Sequence, residues 1–320
     1  MSEEQVVWGI LGCGDVTEVK SGPALRGASR STVASCMRRD GAKAADYAAR
    51  HGIPRWTDDA EAMLSDPALT AIYVATPPDT HRDYAVRALE AGKDVLVEKP
   101  MALTVAECDA MAEAAARTGR SLSVAYYRRA LPRFEALRAI VGDGTIGEPR
   151  LVEVRHFLPG DFRPDQPWKI DPAVGGGGLF ADMQSHALDW LGYAFGEGTA
   201  RGLARRQAGG YAAEDLVAYV AEFGGVPAVG LCSYAASEKD ESVTVHGSEG
   251  SASMGFFRPS PVTVTTRSGT REVDRPDPPH VHEPFVERVV AHLLDGAPNP
   301  CPPEDARRVN ALLDAIYAGL

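Results

Sequence analysis

The chain has 320 residues, 44% hydrophobic and 24% charged, with 33 basic against 44 acidic side chains and five cysteines. That apolar content suffices for one large or two medium cores. A formal net charge of −11 opposes binding to polyanions, and no apolar run approaches the ~20 residues needed to cross a bilayer, so neither nucleic-acid nor membrane partners are expected.

The opening stretch MSEEQVVWGI lacks the basic start and cleavage site of an export signal, so a cytoplasmic location is expected. Residues 1–125 alternate short apolar runs with amphipathic, Ala-rich stretches. VVWGIL is followed by a helical pattern at 23–28, TVASCM by one at 41–51 and a short one at 59–65, AIYVAT by 80–91, DVLVEKP by 104–118, and SLSVAY closes the series. Strands alternating with helices across short connections predict a doubly wound parallel sheet covered on both faces. Beyond Tyr127 the pattern changes to a helix around 131–141, a strand near 149–157, a Pro-rich loop at 159–172 and a Gly-rich entry into a helix at 178–194. Residues 200–275 then read as successive strands (GLARRQ, LVAYVAEF, AVGLCSYA, SVTVHG, SASMGF, VTVTTR) broken by GG, GS and SG turns, which predicts a large, mostly antiparallel sheet. Helices at 283–294 and 303–318 close the chain. The fold class is α/β, with one domain over 1–125 and a second over 126–320.

Directly after the first strand stands Gly9-Ile10-Leu11-Gly12-Cys13-Gly14-Asp15-Val16-Thr17. Gly12 and Gly14 match the first two glycines of the dinucleotide fingerprint, where the backbone must turn tightly and approach a pyrophosphate; the third position is Thr17. The second strand ends in Met37-Arg38-Arg39-Asp40. Arginine at this point pairs with a 2′-phosphate that a carboxylate would repel, which favours NADP, chiefly through Arg38, with NAD possible. In the competing reading both arginines are solvated and Asp40 takes the ribose.

The strand at 94–97 leads into Glu98-Lys99-Pro100. Because ligands of open α/β sheets bind beyond the carboxyl ends of the strands, Lys99 is a better active-site candidate than a surface lysine. In the second domain, Gly175 to Gly178 open a helix carrying Asp182 and His186, four residues apart and hence on one face. The pair can present a carboxylate and an imidazole suited to proton transfer to one cleft, or it can be an ordinary surface pair. Tyr127 and Arg128 at the domain junction, and Arg163 and Trp168 in the Pro-rich loop, are candidate walls of a substrate pocket, with core or interface packing as their alternative role. Cys13, Cys36, Cys108, Cys232 and Cys301 show no Cys-x-x-Cys pair and no His cluster at ligand spacing; they read as reduced thiols, and no metal is expected.

The G-x-G turn, the EKP at 98–100, the Thr76-Pro77-Pro78-x-x-His81 stretch and the glycine run followed by Asp182 and His186 together resemble the Gfo/Idh/MocA oxidoreductase family, typified by glucose–fructose oxidoreductase and inositol dehydrogenase. The resemblance covers essentially the whole chain. It implies an N-terminal Rossmann domain and a C-terminal α/β domain whose open sheet serves homodimer or homotetramer formation. It also implies catalytic roles for Lys99, Asp182 and His186, with His186 as proton acceptor or donor, Lys99 orienting the hydroxyl and Asp182 holding substrate or lysine. Glu98 would help place the nicotinamide, and Thr76, Pro77 and His81 would line the nucleotide. The activity implied is nicotinamide-dependent hydride transfer at a secondary alcohol or ketone of a sugar, inositol or related polyol, with NADP as the cofactor that Arg38 favours. A nicotinamide-dependent glycosidase of the same fold and a non-catalytic NADP-binding sensor or scaffold are the alternatives.

Overall fold

The computed structural model describes residues 4–160, 166–207 and 212–319. The chain divides into two compact units, one made of Met1–Arg128 with Pro278–Arg307, the other of Arg129–Asp277 with Arg308–Leu320.

In the first unit, β1 (Val6–Leu11), β2 (Ser31–Met37), β3 (Arg55–Thr57), β4 (Ala71–Val74), β5 (Asp94–Val97) and β6 (Leu122–Val124) form a parallel sheet in the order β3-β2-β1-β4-β5-β6. Every residue of β4 is buried, as expected for a strand that is covered on both faces. The helices are α1 (Asp15–Val19), α2 (Ser21–Gly27), α3 (Gly41–His51), α4 (Ala60–Leu64), α5 (His81–Glu90) and α6 (Val105–Thr118). Helix α3 starts where Asp40 accepts a hydrogen bond from the Lys43 N–H (3.2 Å) and stops at left-handed Gly52. Strand order reverses between β1 and β4, which makes the carboxyl ends of these two strands the topological switch point of the sheet. The sequence pattern had no strand at 55–57, because Arg-Trp-Thr on a sheet edge carries no apolar period. The helix expected at 23–28 is instead preceded by a full turn, α1, that begins immediately after Gly14.

In the second unit, α7 (Pro132–Gly142), β7 (Pro149–Pro159), α8 (Pro172–Gly175) and α9 (Leu179–Phe195) precede β8 (Gly198–Arg205), β9 (Leu216–Phe223), β10 (Val226–Ala236), β11 (Asp240–Gly247), β12 (Gly250–Met254), β13 (Val262–Thr266) and β14 (Gly269–Val273). The eight strands order as β14-β13-β12-β11-β7-β10-β9-β8, antiparallel throughout except for the β7–β10 pair. One face is covered by α9 on β9 and β10 and by α7 on β12 and β13. The residues on that face, among them Val217, Tyr219, Cys232, Tyr234, Val243 and Val245, are buried. The opposite face exposes Leu203, Val220, Val229 and Leu231 on β8, β9 and β10.

After β14 the chain re-enters the first unit. Helix α10 (Glu283–Asp295) buries Phe285, Val286, Val289 and Val290 and packs on α2 and β1. The Ser29 N–H donates to Glu287 (2.7 Å), and beyond the helix the Val124 N–H donates to the Cys301 carbonyl (3.0 Å). The single boundary expected after residue 125 therefore does not describe the first unit, whose sheet is covered in part by a helix from the far end of the chain. The boundary falls within the last helix, α11 (Pro303–Tyr317). Among the described residues all five cysteines are buried thiols, and no helix is long and apolar enough to cross a membrane.

Candidate active site

At the switch point the loop after β1 meets the loop after β4. Gly12 has φ +95°, and a Cβ there would stand 2.8 Å from the Thr76 backbone nitrogen, so the turn requires glycine for its own packing. Gly14 differs: its backbone is extended, and a Cβ would meet only the Gly12 carbonyl oxygen at 3.9 Å. Thr17 closes the turn, its hydroxyl donating to the Gly14 carbonyl (2.7 Å) and accepting from the Gly14 N–H (3.0 Å). This explains threonine at the third fingerprint position: it acts as a capping residue, with its side chain wholly buried. Asp15 is exposed and Val16 half-buried.

Arg38 is half-buried and its Nη1 donates to the Cys13 carbonyl (3.3 Å), which draws the guanidinium to the glycine turn. Arg39 is exposed. Asp40 is engaged elsewhere, capping α3 and pairing with Lys43 at 3.5 Å. Thr76 and Pro77 are half-buried, whereas His81 is wholly buried, with Nδ1 3.0 Å from the Pro100 carbonyl and Nε2 2.8 Å from the Thr76 carbonyl. Burial pushes this imidazole below its usual range, and its two contacts tie the Thr76 loop to the Lys99–Pro100 loop.

Lys99 is half-buried at the carboxyl end of β5. Beside it the Glu98 carboxylate accepts from the Tyr73 hydroxyl (2.5 Å) and from the Lys99 N–H (3.1 Å), so Glu98 is clamped between the sheet and the backbone of the lysine. Tyr127 and Arg128 are buried, with the guanidinium 5.4 Å from the tyrosine ring centroid. The Tyr127 ring also stacks on His282 at 4.1 Å and 27°. His282 was invisible to sequence reasoning because it arrives with the returning segment, 155 positions after its stacking partner. Burial holds its imidazole at about 4; Glu98 opposes that effect, while the charges of Lys20, Lys99 and Arg128 add to it. His282 is therefore neutral at pH 7 and adds no cation beside Lys99.

In the second unit, α9 is buried nearly all round, and Asp182 and Met183 in its first turns are partly exposed. His186 follows Asp182 by one turn and is 5% exposed. The helix is anchored at Asp189, where Arg129 donates from Nε and Nη2 in a buried ion pair (2.7–3.1 Å). Its start is fixed by Glu214, which accepts from the Gly178 N–H (2.9 Å) and the Tyr317 hydroxyl (2.7 Å); burial raises this carboxyl above its ordinary value. A Cβ on Gly178 would stand 2.9 Å from the Glu214 carboxylate, and one on Gly175 2.9 Å from the Trp168 carbonyl. The close approach that the glycine run permits is thus to the unit's own packing. Trp168 is half-buried, and the neighbouring Lys169, which sequence spacing did not connect to α9, reaches Asp182 at 3.1 Å. Arg163 lies outside the described residues. Lys99 belongs to the first unit, Asp182 and His186 to the second.

Residues 6–126 match the oxidoreductase family with an NAD-binding Rossmann fold (GFO/IDH/MocA), and residues 134–253 match the GFO/IDH/MocA C-terminal domain. The chain is similar to oxidoreductase P35 of Formosa agariphila, with 34% identity over 99% of each chain. It is similar also to the 1,5-anhydro-D-fructose reductase of Ensifer adhaerens, with 30% identity over 86% of this chain and 84% of that one. The crystal structure of aldose-aldose oxidoreductase from Caulobacter crescentus complexed with glycerol superposes with a TM-score of 0.87 at 25% identity, covering 99% of this chain and 97% of that one. Sequence matches across both units, carried on the same pair of sheets, make this chain a member of the GFO/IDH/MocA oxidoreductase family.

Proposed function

We propose that this chain is an NADP-dependent oxidoreductase acting at a secondary alcohol or ketone of a sugar, inositol or related polyol. The observation that carries the nucleotide assignment is the contrast at the glycine turn: a Cβ on Gly12 would collide with Thr76, whereas one on Gly14 would meet only the Gly12 carbonyl oxygen at 3.9 Å, so the second glycine is not required by the protein's own packing and is free to let a pyrophosphate approach the backbone. Gly14, Asp15 and Val16 would contact the pyrophosphate, Thr76 and Pro77 would flank the nucleotide, and His81 would support both loops from within. Arg38, already at the turn, would pair with the 2′-phosphate, with Arg39 supplying further positive charge; Asp40, engaged in capping α3, does not compete for it.

The nicotinamide, when bound, supplies hydride chemistry at the carbon bearing the hydroxyl. Lys99 would orient that hydroxyl and stabilise the developing alkoxide. His186 would take the proton in alcohol oxidation and return it in ketone reduction, and Asp182 would hold the substrate. Glu98, fixed by Tyr73, would place the nicotinamide. Tyr127, Arg128, Arg163 and Trp168 are the proposed pocket walls. The polyol class is supported by the similar 1,5-anhydro-D-fructose reductase and by the glycerol-complexed aldose-aldose oxidoreductase. The exposed apolar face of the large sheet is proposed to be covered by another copy of the chain.

Fluorescence titration of the purified protein with NADPH and NADH tests the cofactor assignment. Tighter NADPH binding that is lost in Arg38→Asp, with NADH binding retained, supports it; equal or tighter NADH binding by the unaltered protein contradicts it.

A further inference from the structure

Lys169 lies in a single 3-10 turn, Pro167–Ile170, directly before α8. Several local contacts set this turn. The Lys169 N–H donates to the Gln166 carbonyl (3.1 Å), Asp171 caps α8 by accepting from the Ala173 N–H (3.0 Å), and the side-chain-free backbone of Gly175 lets the Trp168 carbonyl approach. The Lys169 ammonium is thereby placed 3.1 Å from Asp182 Oδ2 and 5.3 Å from the centroid of the Trp168 ring. The two charged side chains are 22% and 14% exposed, so the pair is largely shielded from water and is less screened by salt than a surface pair. A lysine stem is flexible and seldom holds one geometry alone; here the indole supplies a second contact that confines it.

We propose that Lys169 is a positioning residue that holds Asp182 ionised and aligned on α9, one turn before His186, so that the carboxylate accepts a hydrogen bond from a substrate hydroxyl. The proposal rests on the reading of Asp182 as a substrate-side residue. An ammonium at hydrogen-bond distance favours the charged carboxylate, and its removal lets the carboxyl protonate at higher pH. Trp168 acts on the same pair by shading it, which gives the Trp-Lys dipeptide a defined task beyond lining a pocket.

The test is the pH dependence of kcat/KM for ketone reduction with NADPH, the direction in which His186 must be protonated and so contributes no acidic limb. Lys169→Met is expected to lower kcat/KM about tenfold and to move the acidic limb up by about one pH unit. Lys169→Arg is expected to restore the limb, and Lys169→Met is expected to have no further effect in an Asp182→Asn background. A readout independent of turnover is the acylation rate of Lys169, followed by mass spectrometry, which rises in Asp182→Asn as the amine is released from its contact with the carboxylate and becomes accessible to the reagent. If Asp182→Asn lowers activity while Lys169→Met leaves the limb unmoved, or if the acylation rate does not change, the positioning role is overturned and the assignment of Asp182 stands. If Asp182→Asn retains the unaltered protein's kcat/KM, the assignment of Asp182 itself fails.

Discussion

Lys99 and Arg38 are single side chains whose proposed roles have separable consequences. Replacing Lys99 by alanine removes the group proposed to stabilise alkoxide charge, and the expected loss in kcat/KM is ~10²–10³-fold with NADPH binding nearly unchanged. Parallel kinetics and fluorescence titration check both halves of that statement. Arg38→Asp is expected to weaken NADPH binding by about 1.5–3 kcal/mol, the range for a charge-assisted hydrogen bond, and to spare NADH. His282 makes a prediction about stability. Its folded-state value of about 4 lies below the ordinary 6.5, so unfolding takes up a proton as pH falls between these values. Its contribution is complete above pH 6.5 and is lost by pH 4, about 3 kcal/mol in all. His282→Phe keeps the stack on Tyr127 and removes the titration, so its denaturation midpoint should fall less between pH 7 and pH 4. Lys99, Arg38, Asp182 and His186 are legible as candidates because each stands at a recognisable place in a motif. His282 and the Lys169–Asp182 pair are not, because neither contact leaves a trace in local spacing.

Within the glycine turn the two glycines have separable consequences. Gly12→Ala forces a side chain into a left-handed backbone against Thr76 and should destabilise the protein by about 1–3 kcal/mol. Gly14→Ala meets no protein atom closely and should leave thermal stability nearly unchanged while weakening NADPH binding ~10-fold or more. Thermal melts with and without NADPH separate the two effects. Element boundaries were most legible where local chemistry is strong. Helix α3 carries an Asp cap and a terminal glycine, and its span of 41–51 agrees with the sequence reading; β9 agrees with LVAYVAEF. Where tertiary pairing alone makes the element, the sequence was silent. Strand β3 is three residues on a sheet edge, and β14 (GTREV) is mostly exposed, so neither shows an apolar period.

At the scale of the whole molecule, two sheets of opposite character were readable from the change in texture after Tyr127, parallel and doubly covered before it, mostly antiparallel after it. The return of α10 to the first unit was not readable, because an amphipathic helix records which of its faces is buried but not what covers that face. The exposed Leu203, Val220, Val229 and Leu231 present the apolar area that the proposed oligomer would cover. Val220 and Leu231 lie on adjacent strands, so Val220→Lys with Leu231→Glu should shift the sedimentation coefficient toward that of the monomer without changing the far-ultraviolet spectrum. The most direct test of the central claim is turnover: the unaltered protein and Lys99→Ala are incubated with NADP and a panel of sugars, inositols and related polyols, and nicotinamide reduction is followed by absorbance. Reduction with at least one polyol, lost in Lys99→Ala, is expected. Reduction at the same rate in Lys99→Ala, or nucleotide binding with no turnover across the panel, would contradict the proposed function.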